Sequence, residues 1–352
     1  ASQAVGEVSF INTDGRYDYL ETYLFDGRKV EVHMAKSEDT PDEEVSLVFT
    51  GTARYYSLTI QKFTVYVKTR MEELNTAMLS ATFGGTNLGR GGSGGDDGTE
   101  SFKGSKKPSV YGRVFNIEPV NINEFFLVYA CNYDKDGTRK AIESFWSVRA
   151  RGMEMVYEGD VASFTALKAT TVSAGHYKTC IAEGLFRLGT VPNGEVTCDV
   201  IEKSGAQGTT AGVVKRILEQ FCGYTADVDF DSTSLEQLDD YNECPVGVYV
   251  TGEETKAEVL VDILQSIGAW ICPNSLGVFR FGLVGTPTSL PVLTVHKGNY
   301  LKDSLEKIQT GAQSRNIPAY MVTLKHTKNW KVQTKDAFVH AVPSYVQELL
   351  VK

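Results

Sequence analysis

The chain has 352 residues, 42% of them hydrophobic and 22% charged, which is typical of a soluble folded protein with two or three domains. Its 35 lysines and arginines against 44 aspartates and glutamates give a net charge of −9, which argues against a nucleic-acid-binding surface. Because no run approaches the ~20 apolar residues of a membrane-spanning helix, we expect no stable membrane insertion.

Residues 1–82 are predicted to form strands. Val30–Met34 and Phe63–Lys68 alternate apolar and polar residues, which is the pattern of a half-buried sheet. Asp26-Gly27 precedes the first of these runs and indicates a hairpin turn. We interpret this part as a small antiparallel β-barrel or sandwich.

Residues 83–106 contain the most biased segment, Gly84–Gly98, which includes eight glycines. No Gly-Lys-Ser/Thr leading into a helix follows, so a phosphate-binding loop is not supported. Gly91, Ser93 and Gly95 match a G-x-S-x-G pattern, but no strand leads into the serine, as a nucleophile elbow requires. Since glycine maximises chain entropy, we predict a flexible loop or linker.

Residues 107–204 are predicted to be a β-rich domain with one short helix. The helix is expected at Val161–Lys168, and the strands are expected at Phe125–Tyr129, Ser144–Val148, Leu185–Leu188 and Val196–Val200.

Residues 205–285 change character and predict an α/β domain with two helices. Thr209–Phe221 and Thr255–Ile267 each carry one apolar face and have a glycine after the last turn, and a threonine N-cap opens the first. Strands at Ala269–Cys272 and Val278–Gly282 follow, joined by a Pro273–Gly277 turn.

Residues 286–352 are predicted to be β-rich, with strands at Ala319–His326 and Asn329–Gln333. The last residues, Gln347–Lys352, stop in the middle of a pattern, so we expect this segment to complete a barrel and continue beyond the chain. The fold class that follows is mainly β with α+β: small antiparallel barrel or sandwich domains plus an inserted α/β domain.

One turn has the spacing of a calcium loop. Asn132, Asp134, Asp136 and Glu143 occupy positions one, three, five and twelve, with Gly137 at position six. Against calcium, position eight is arginine and the flanks are predicted strands instead of helices. A β-hairpin containing Asp-Gly explains the same residues and is the favoured interpretation.

No other pattern predicts catalysis, a metal or a cofactor. The five histidines are scattered, and the six cysteines form no C-x-x-C pair, so we expect reduced, mostly buried thiols. The acidic pairs Glu253-Glu254 and Asp239-Asp240 are interpreted as solvated charge. The sequence therefore predicts a protein that is not an enzyme and has no catalytic or cofactor-binding residues.

Several collinear motifs resemble a family of siphophage tail-tip proteins related to the baseplate hub. The longest is KPSVYGRVFNIEPV at Lys107–Val120. The others are Phe83–Thr86 (FGGT), Gly175–Tyr177, Ala182–Gly189 (AEGLFRLG), Pro245–Tyr249 (PVGVY), Ser266–Trp270 (SIGAW) and Asn329–Gln333 (NWKVQ).

The resemblance implies a structural protein of the virion, made in the bacterial cytoplasm and placed at the distal end of the tail. It implies β-barrel domains that extend or close the tail tube, assembly as a homo-oligomer, typically a trimer, and DNA passing through the lumen without specific binding. The implied partners are the distal tail protein, the tape measure and tail fibres. The family pattern carries no catalytic residues.

Two alternatives stay open at this point. The first is a tail-associated receptor- or carbohydrate-binding module, for which some of the 17 Tyr and 17 Phe would serve as stacking platforms. The second is a tail-associated cell-wall hydrolase, which requires a carboxylate pair or a metal in a cleft.

Overall fold

The computed structural model describes residues 6–35, 45–88, 94–203, 208–284 and 326–351. The chain is mainly β, with several sheets, one of them curled into a half-barrel, so the coarse fold class is confirmed. Contacts divide it into one unit of residues 1–283 with 329–352 and a second of residues 284–328. The strand predicted at Ala319–His326 falls almost wholly outside the described residues.

The N-terminal part forms a four-stranded antiparallel sheet with the order β1-β4-β3-β2. Its strands are β1 Gly6–Ile11, β2 Lys29–Met34, β3 Ser46–Leu58 and β4 Lys62–Lys68. The two strands predicted here are confirmed. The Asp26-Gly27 turn is present, but it does not make a hairpin, because β1 pairs with β4 and β2 pairs with β3. Apolar side chains from one face of the sheet form a small core of Ala53, Phe63, Val65 and Val67.

The middle of the chain builds two five-stranded sheets, ordered β14-β5-β13-β8-β9 and β10-β11-β12-β7-β6. The strands are β5 Ser109–Ile117, β6 Val120–Asn123, β7 Val128–Ala130, β8 Ile142–Ala150, β9 Met153–Glu154, β10 Val156–Asp160, β11 His176–Cys180, β12 Leu185–Leu188, β13 Val196–Glu202 and β14 Gly247–Val250. Both sheets contribute to one core, in which Val148, Phe186 and Cys198 are fully buried.

The predicted strand Phe125–Tyr129 is only partly correct, since β7 begins at Val128. Residues 124–127 form a turn instead, because the side-chain oxygen of Asn123 accepts a hydrogen bond from the backbone N–H of Phe126 at 2.9 Å. An Asn side chain that caps its own chain in this way competes with the strand ladder.

The helices lie mostly between residues 210 and 265 and pack against the β14 side of the sheet β14-β5-β13-β8-β9. The helices are α1 Phe164–Ala169, α2 Thr210–Ile217, which continues as a π-helical turn over Leu218–Cys222, α3 Ser232–Tyr241 and α4 Lys256–Gln265; the hairpin β15 Ala269–Pro273 and β16 Phe279–Leu283 packs beside them. No helix of the described residues has the length and apolarity needed to cross a membrane.

Both long predicted helices are present, but the prediction of two helices is wrong, because α3 is a third. Only Leu235 and Leu238 of α3 are buried, so its apolar face is too narrow to give a helical pattern. The N-cap side chain of Asp231 accepts from the Ser234 N–H and fixes the start of α3.

The predicted strand Asn329–Gln333 is wrong beyond its first residue. Asn329 forms a single parallel bridge with Phe115, and residues 344–351 form α5, Ser344–Val351. Two backbone hydrogen bonds attach the segment to β5, from the Trp330 N–H to the Phe115 carbonyl and from the Lys331 N–H to the Asn116 carbonyl. The Asn116 side chain adds two more, since its Nδ2 donates to Asn329 Oδ1 at 2.9 Å and to the Lys331 carbonyl at 2.6 Å.

A fully buried carboxylate joins the helical layer to the first sheet. Glu202 in β13 lies 2.9 Å from the Arg216 guanidinium of α2 and 3.1 Å from Lys140 Nζ. It also accepts the Gly112 N–H at 2.8 Å. The partners compensate the desolvation of the carboxylate, so this cluster couples three elements through one buried charge.

Burial of the thiols makes stability fall at alkaline pH. Burial raises the pKa of Cys222 to about 11, against ~8.5 for an unfolded cysteine. The folded state holds the Cys222 proton more tightly than the unfolded state does. The protonated thiol therefore contributes fully to the free energy of unfolding below the unfolded pKa, and this contribution is lost as the pH rises through the folded pKa. We expect the loss of unfolding free energy between pH 8 and 10.5 to be about 2 kcal/mol smaller for Cys222→Ser than for the wild type. Urea unfolding followed by circular dichroism measures it, and equal losses in both proteins would contradict the burial argument.

Candidate functional site

The calcium-like turn lies in the loop between β7 and β8, which belong to different sheets. The predicted β-hairpin is therefore wrong for these two strands, and a single antiparallel bridge between Tyr133 and Arg139 closes the turn. Asn132 is buried, its Oδ1 accepts the Val110 N–H at 3.0 Å, and Asp134 Oδ1 accepts the backbone N–H groups of Asp136 and Thr138 at 3.0 and 2.8 Å. Glu143 is exposed on β8. Strands flank the turn, and the described residues contain no group of three His, Cys, Asp or Glu side chains that could hold a metal.

The Gly-rich segment meets this loop at a polar pocket of about 240 Å³. Asp97 lies 2.8 Å from Lys107 Nζ and also accepts the Gly84 N–H at 2.8 Å. The pocket is lined by Asp96, Asp97, Lys107, Tyr133, Gly137, Thr138 and Arg139.

The charges of this pocket are paired with one another. Asp96 lies 2.8 Å from Lys168 Nζ and accepts from Asn123 Nδ2, while Arg139 lies 3.3 Å from Glu183. The Arg139 guanidinium also sits over the Phe164 ring at 4.3 Å. Since Asp96 and Asp97 each already pair with a lysine, these ion pairs connect neighbouring loops and leave little unpaired charge for a ligand.

The prediction of a flexible linker at 83–106 needs correction for the described residues. Backbone N–H groups of Gly85 and Asn87 donate to the carbonyls of Asp97 and Gly98, and the Gly98 N–H donates to Ile122 of β6. The two ends of the segment are therefore pinned to each other and to the sheet. Gly91 and Ser93 of the G-x-S-x-G match lie outside the described residues.

The acidic pairs have structural contacts. Asp239 accepts the Ala211 N–H at the start of α2, and Glu254 accepts the Gly252 N–H at 2.8 Å. Glu253 lies 3.5 Å from Lys106 and is largely exposed.

A larger groove of about 690 Å³, which sequence reasoning missed, lies between α4, β15 and the end of β4. Its apolar lining residues are Met71, Val261, Leu264, Ala269, Trp270 and Ile271. The rim carries hydrogen-bonding and charged side chains, namely Arg54, Lys68, Glu72, Asn75 and Gln265. These residues are up to some two hundred positions apart in the sequence, so no local motif marks them.

The N-terminal sheet carries an unusually apolar surface. Ile11, Leu24 and Ile60 are 77%, 82% and 87% exposed. We call the full set the N-terminal apolar surface; it comprises Phe10, Ile11, Tyr19, Tyr23, Leu24, Met34, Leu47, Tyr55 and Ile60. Ile11 and Ile60 lie near the β3–β4 turn, whereas Met34 and Leu47 lie at the opposite end of β3, so the exposed apolar side chains are spread along the sheet.

No protein-family model matches the chain, and comparison with curated proteins also gave no match. The resemblance to siphophage tail-tip proteins therefore stays a prediction.

Proposed function

We propose that the chain is a structural component of a tailed-phage tail tip, a baseplate hub that extends or closes the tail tube and anchors distal tail proteins. Its proposed neighbours are the distal tail protein, the tape measure and tail fibres. The observation that supports this most is the N-terminal sheet, which combines two unpaired strand edges with the N-terminal apolar surface.

The unpaired edges belong to β1 and β2, which end the order β1-β4-β3-β2 within the described residues. Every neighbouring pair in this sheet is antiparallel, so β1 and β2 run in opposite directions. If β1 of one copy lies beside β2 of the next, the antiparallel alternation continues without a break. Such head-to-tail contacts close into rings when the rotation between copies allows it.

Joining copies at these edges also satisfies the backbone groups that an open edge leaves unpaired. The end of β1 supplies apolar contact area: Ile11 pairs with Lys62, and Ile60 lies two residues before Lys62 in the β3–β4 turn. The ring of Phe10 stacks on Phe63 with centroids 6.1 Å apart, which fixes the neighbouring side chain.

Mass photometry of the purified chain tests the proposal, with a closed oligomer, a trimer or larger ring, as the expected result. Ile11→Lys and Ile60→Lys are expected to shift the population to monomer at least tenfold, because each buries a charge in an apolar contact. Val228→Lys, at a residue 65% exposed and outside the N-terminal apolar surface, is the matched control and should assemble like the wild type.

A wild-type chain that stays monomeric at all concentrations, or the same loss of assembly with Val228→Lys, contradicts the assembly role. The position in the virion is tested separately with gold-labelled antibody on particles of the encoding phage, where label at the distal end of the tail is expected.

A further inference from the structure

The groove between α4 and β15 is lined by apolar residues and by polar side chains, among them Arg54 and Gln265. We propose that it binds an acidic saccharide, with the Trp270 ring as a stacking platform and Arg54 as the partner of a sugar carboxylate. This inference goes beyond the tail-tip assembly role and does not rest on it.

Trp270 is 44% exposed, yet its ring is held in place. It faces Gly282 across the β15–β16 hairpin, and a Cβ built on Gly282 would lie 2.4 Å from Trp270 Cζ2. The indole therefore fills the space that any other side chain at 282 would need. A fixed, half-open aromatic ring offers a large contact area at little entropic cost, and its N–H stays available as a donor.

The rim of the groove carries net positive charge. Glu72 is already used, because Lys68 Nζ lies 3.2 Å and Asn75 Nδ2 lies 3.1 Å from its carboxylate oxygens. Arg54 forms no ion pair with any residue in the described part of the chain, and the Gln265 side chain makes no hydrogen bond there. With Glu72 neutralised by Lys68, Arg54 supplies the excess charge and favours an anionic ligand.

The shape of the groove favours a saccharide over a purely apolar ligand. Its volume of about 690 Å³ lies within the range of small-molecule sites. A pyranose presents a C–H face that packs on an aromatic ring and a hydroxyl edge that hydrogen-bonds amide and guanidinium groups. The groove provides both environments, because its lining residues include Trp270 as well as Arg54 and Gln265.

Isothermal titration calorimetry with tetragalacturonate as the probe tests the proposal, and neutral maltotetraose is expected to bind at least tenfold more weakly. Trp270→Ala should weaken tetragalacturonate binding at least tenfold because it removes the aromatic contact area. Arg54→Gln should have an effect of the same size, since a charge-assisted hydrogen bond contributes that much. Trp146→Ala is the matched control: Trp146 is 55% exposed, packs against Arg113 and lies outside the groove, so this variant should bind like the wild type.

Thiol protection gives a second measurement that does not depend on a variant folding. Cys272 lines the groove and is exposed, whereas exposed Cys244 lies elsewhere. Saturating tetragalacturonate should slow the alkylation of Cys272 by iodoacetamide at least fivefold and leave Cys244 unchanged.

The proposal is overturned if neither tetragalacturonate nor sialyllactose binds. It is also overturned if Trp270→Ala binds tetragalacturonate as tightly as the wild type, or if the saccharide does not slow the alkylation of Cys272. Binding of an apolar dye alone would also count against it. Mass photometry of Trp270→Ala keeps the two proposals apart, because this variant should assemble normally whether or not it binds saccharide.

Discussion

Glu202→Leu is expected to lower the free energy of unfolding by about 3–5 kcal/mol, because it removes the carboxylate from a buried ionic cluster. Glu202 is fully buried, and both Arg216 and Lys140 point their charges at it. The Gly112 N–H also loses its acceptor in this variant. Urea unfolding at pH 7, followed by circular dichroism, measures the loss.

Two further variants make this prediction specific. Glu118→Gln removes the half-exposed carboxylate that lies 2.6 Å from Lys331, and a surface pair of this kind is expected to cost less than about 1 kcal/mol. The triple variant Glu202→Leu, Arg216→Met and Lys140→Met should recover much of the lost stability, since it leaves no unpaired buried charge. A Glu202→Leu protein as stable as Glu118→Gln would show that the cluster does not couple the layers.

Gly112→Ala is expected to destabilise the protein by at least about 3 kcal/mol, because the new Cβ meets both backbone strain and a backbone clash. Gly112 lies in β5 with a φ of +66°, and a Cβ there would lie 2.0 Å from the Val246 carbonyl oxygen. Its partner across the β5–β14 ladder is Gly247, so two glycines allow this close approach.

Gly223→Ala separates the two causes. Gly223 has a φ of +71° after the π-helical turn, and a Cβ built on it meets nothing within 4 Å. Only the left-handed conformation is strained there, so we expect a loss of about 1 kcal/mol. Thermal and urea unfolding of both variants gives the difference in the free energy of unfolding. Equal losses in Gly112→Ala and Gly223→Ala would mean that the close approach of β14 to β5 adds no cost beyond the backbone strain.

Local patterns were sufficient where an element is amphipathic. The alternation of Phe63–Lys68 predicts β4, and the apolar face of Thr255–Ile267 predicts α4. In the structure a capping box of Thr255 and Glu258 opens α4. These signals are local because each element buries one face and exposes the other.

The same reasoning failed where contacts distant in sequence decide the conformation. Asn329–Gln333 alternates like a strand, yet it forms only one bridge and is attached to Phe115 and Asn116, more than two hundred residues earlier, by backbone bonds and by the Asn116 side chain. The Gly-rich segment has the composition of a linker, but Asp97 and Gly98 pin its end to Gly84 and Ile122. The composition of a segment indicates how much conformational entropy it loses on ordering. It does not indicate which residues elsewhere in the chain bind the segment and order it.

The groove could not have been predicted, because Arg54, Trp270 and Gln265 come from three separate elements and share no spacing. Trp270 lies three residues before the predicted Pro273–Gly277 turn and Gly282 lies five residues after it, so the predicted turn does not show that the two residues pair.

By itself, the sequence determined the mainly β character, the α/β segment near residues 210–283 and the lack of a recognisable catalytic or metal motif. Only the tertiary structure decided which strands share a sheet, which edges stay open, and where Glu202, Gly112 and Trp270 meet their partners. The physical reason is that periodicity encodes which face of an element is buried, whereas strand order and burial partners depend on contacts between residues far apart in the chain.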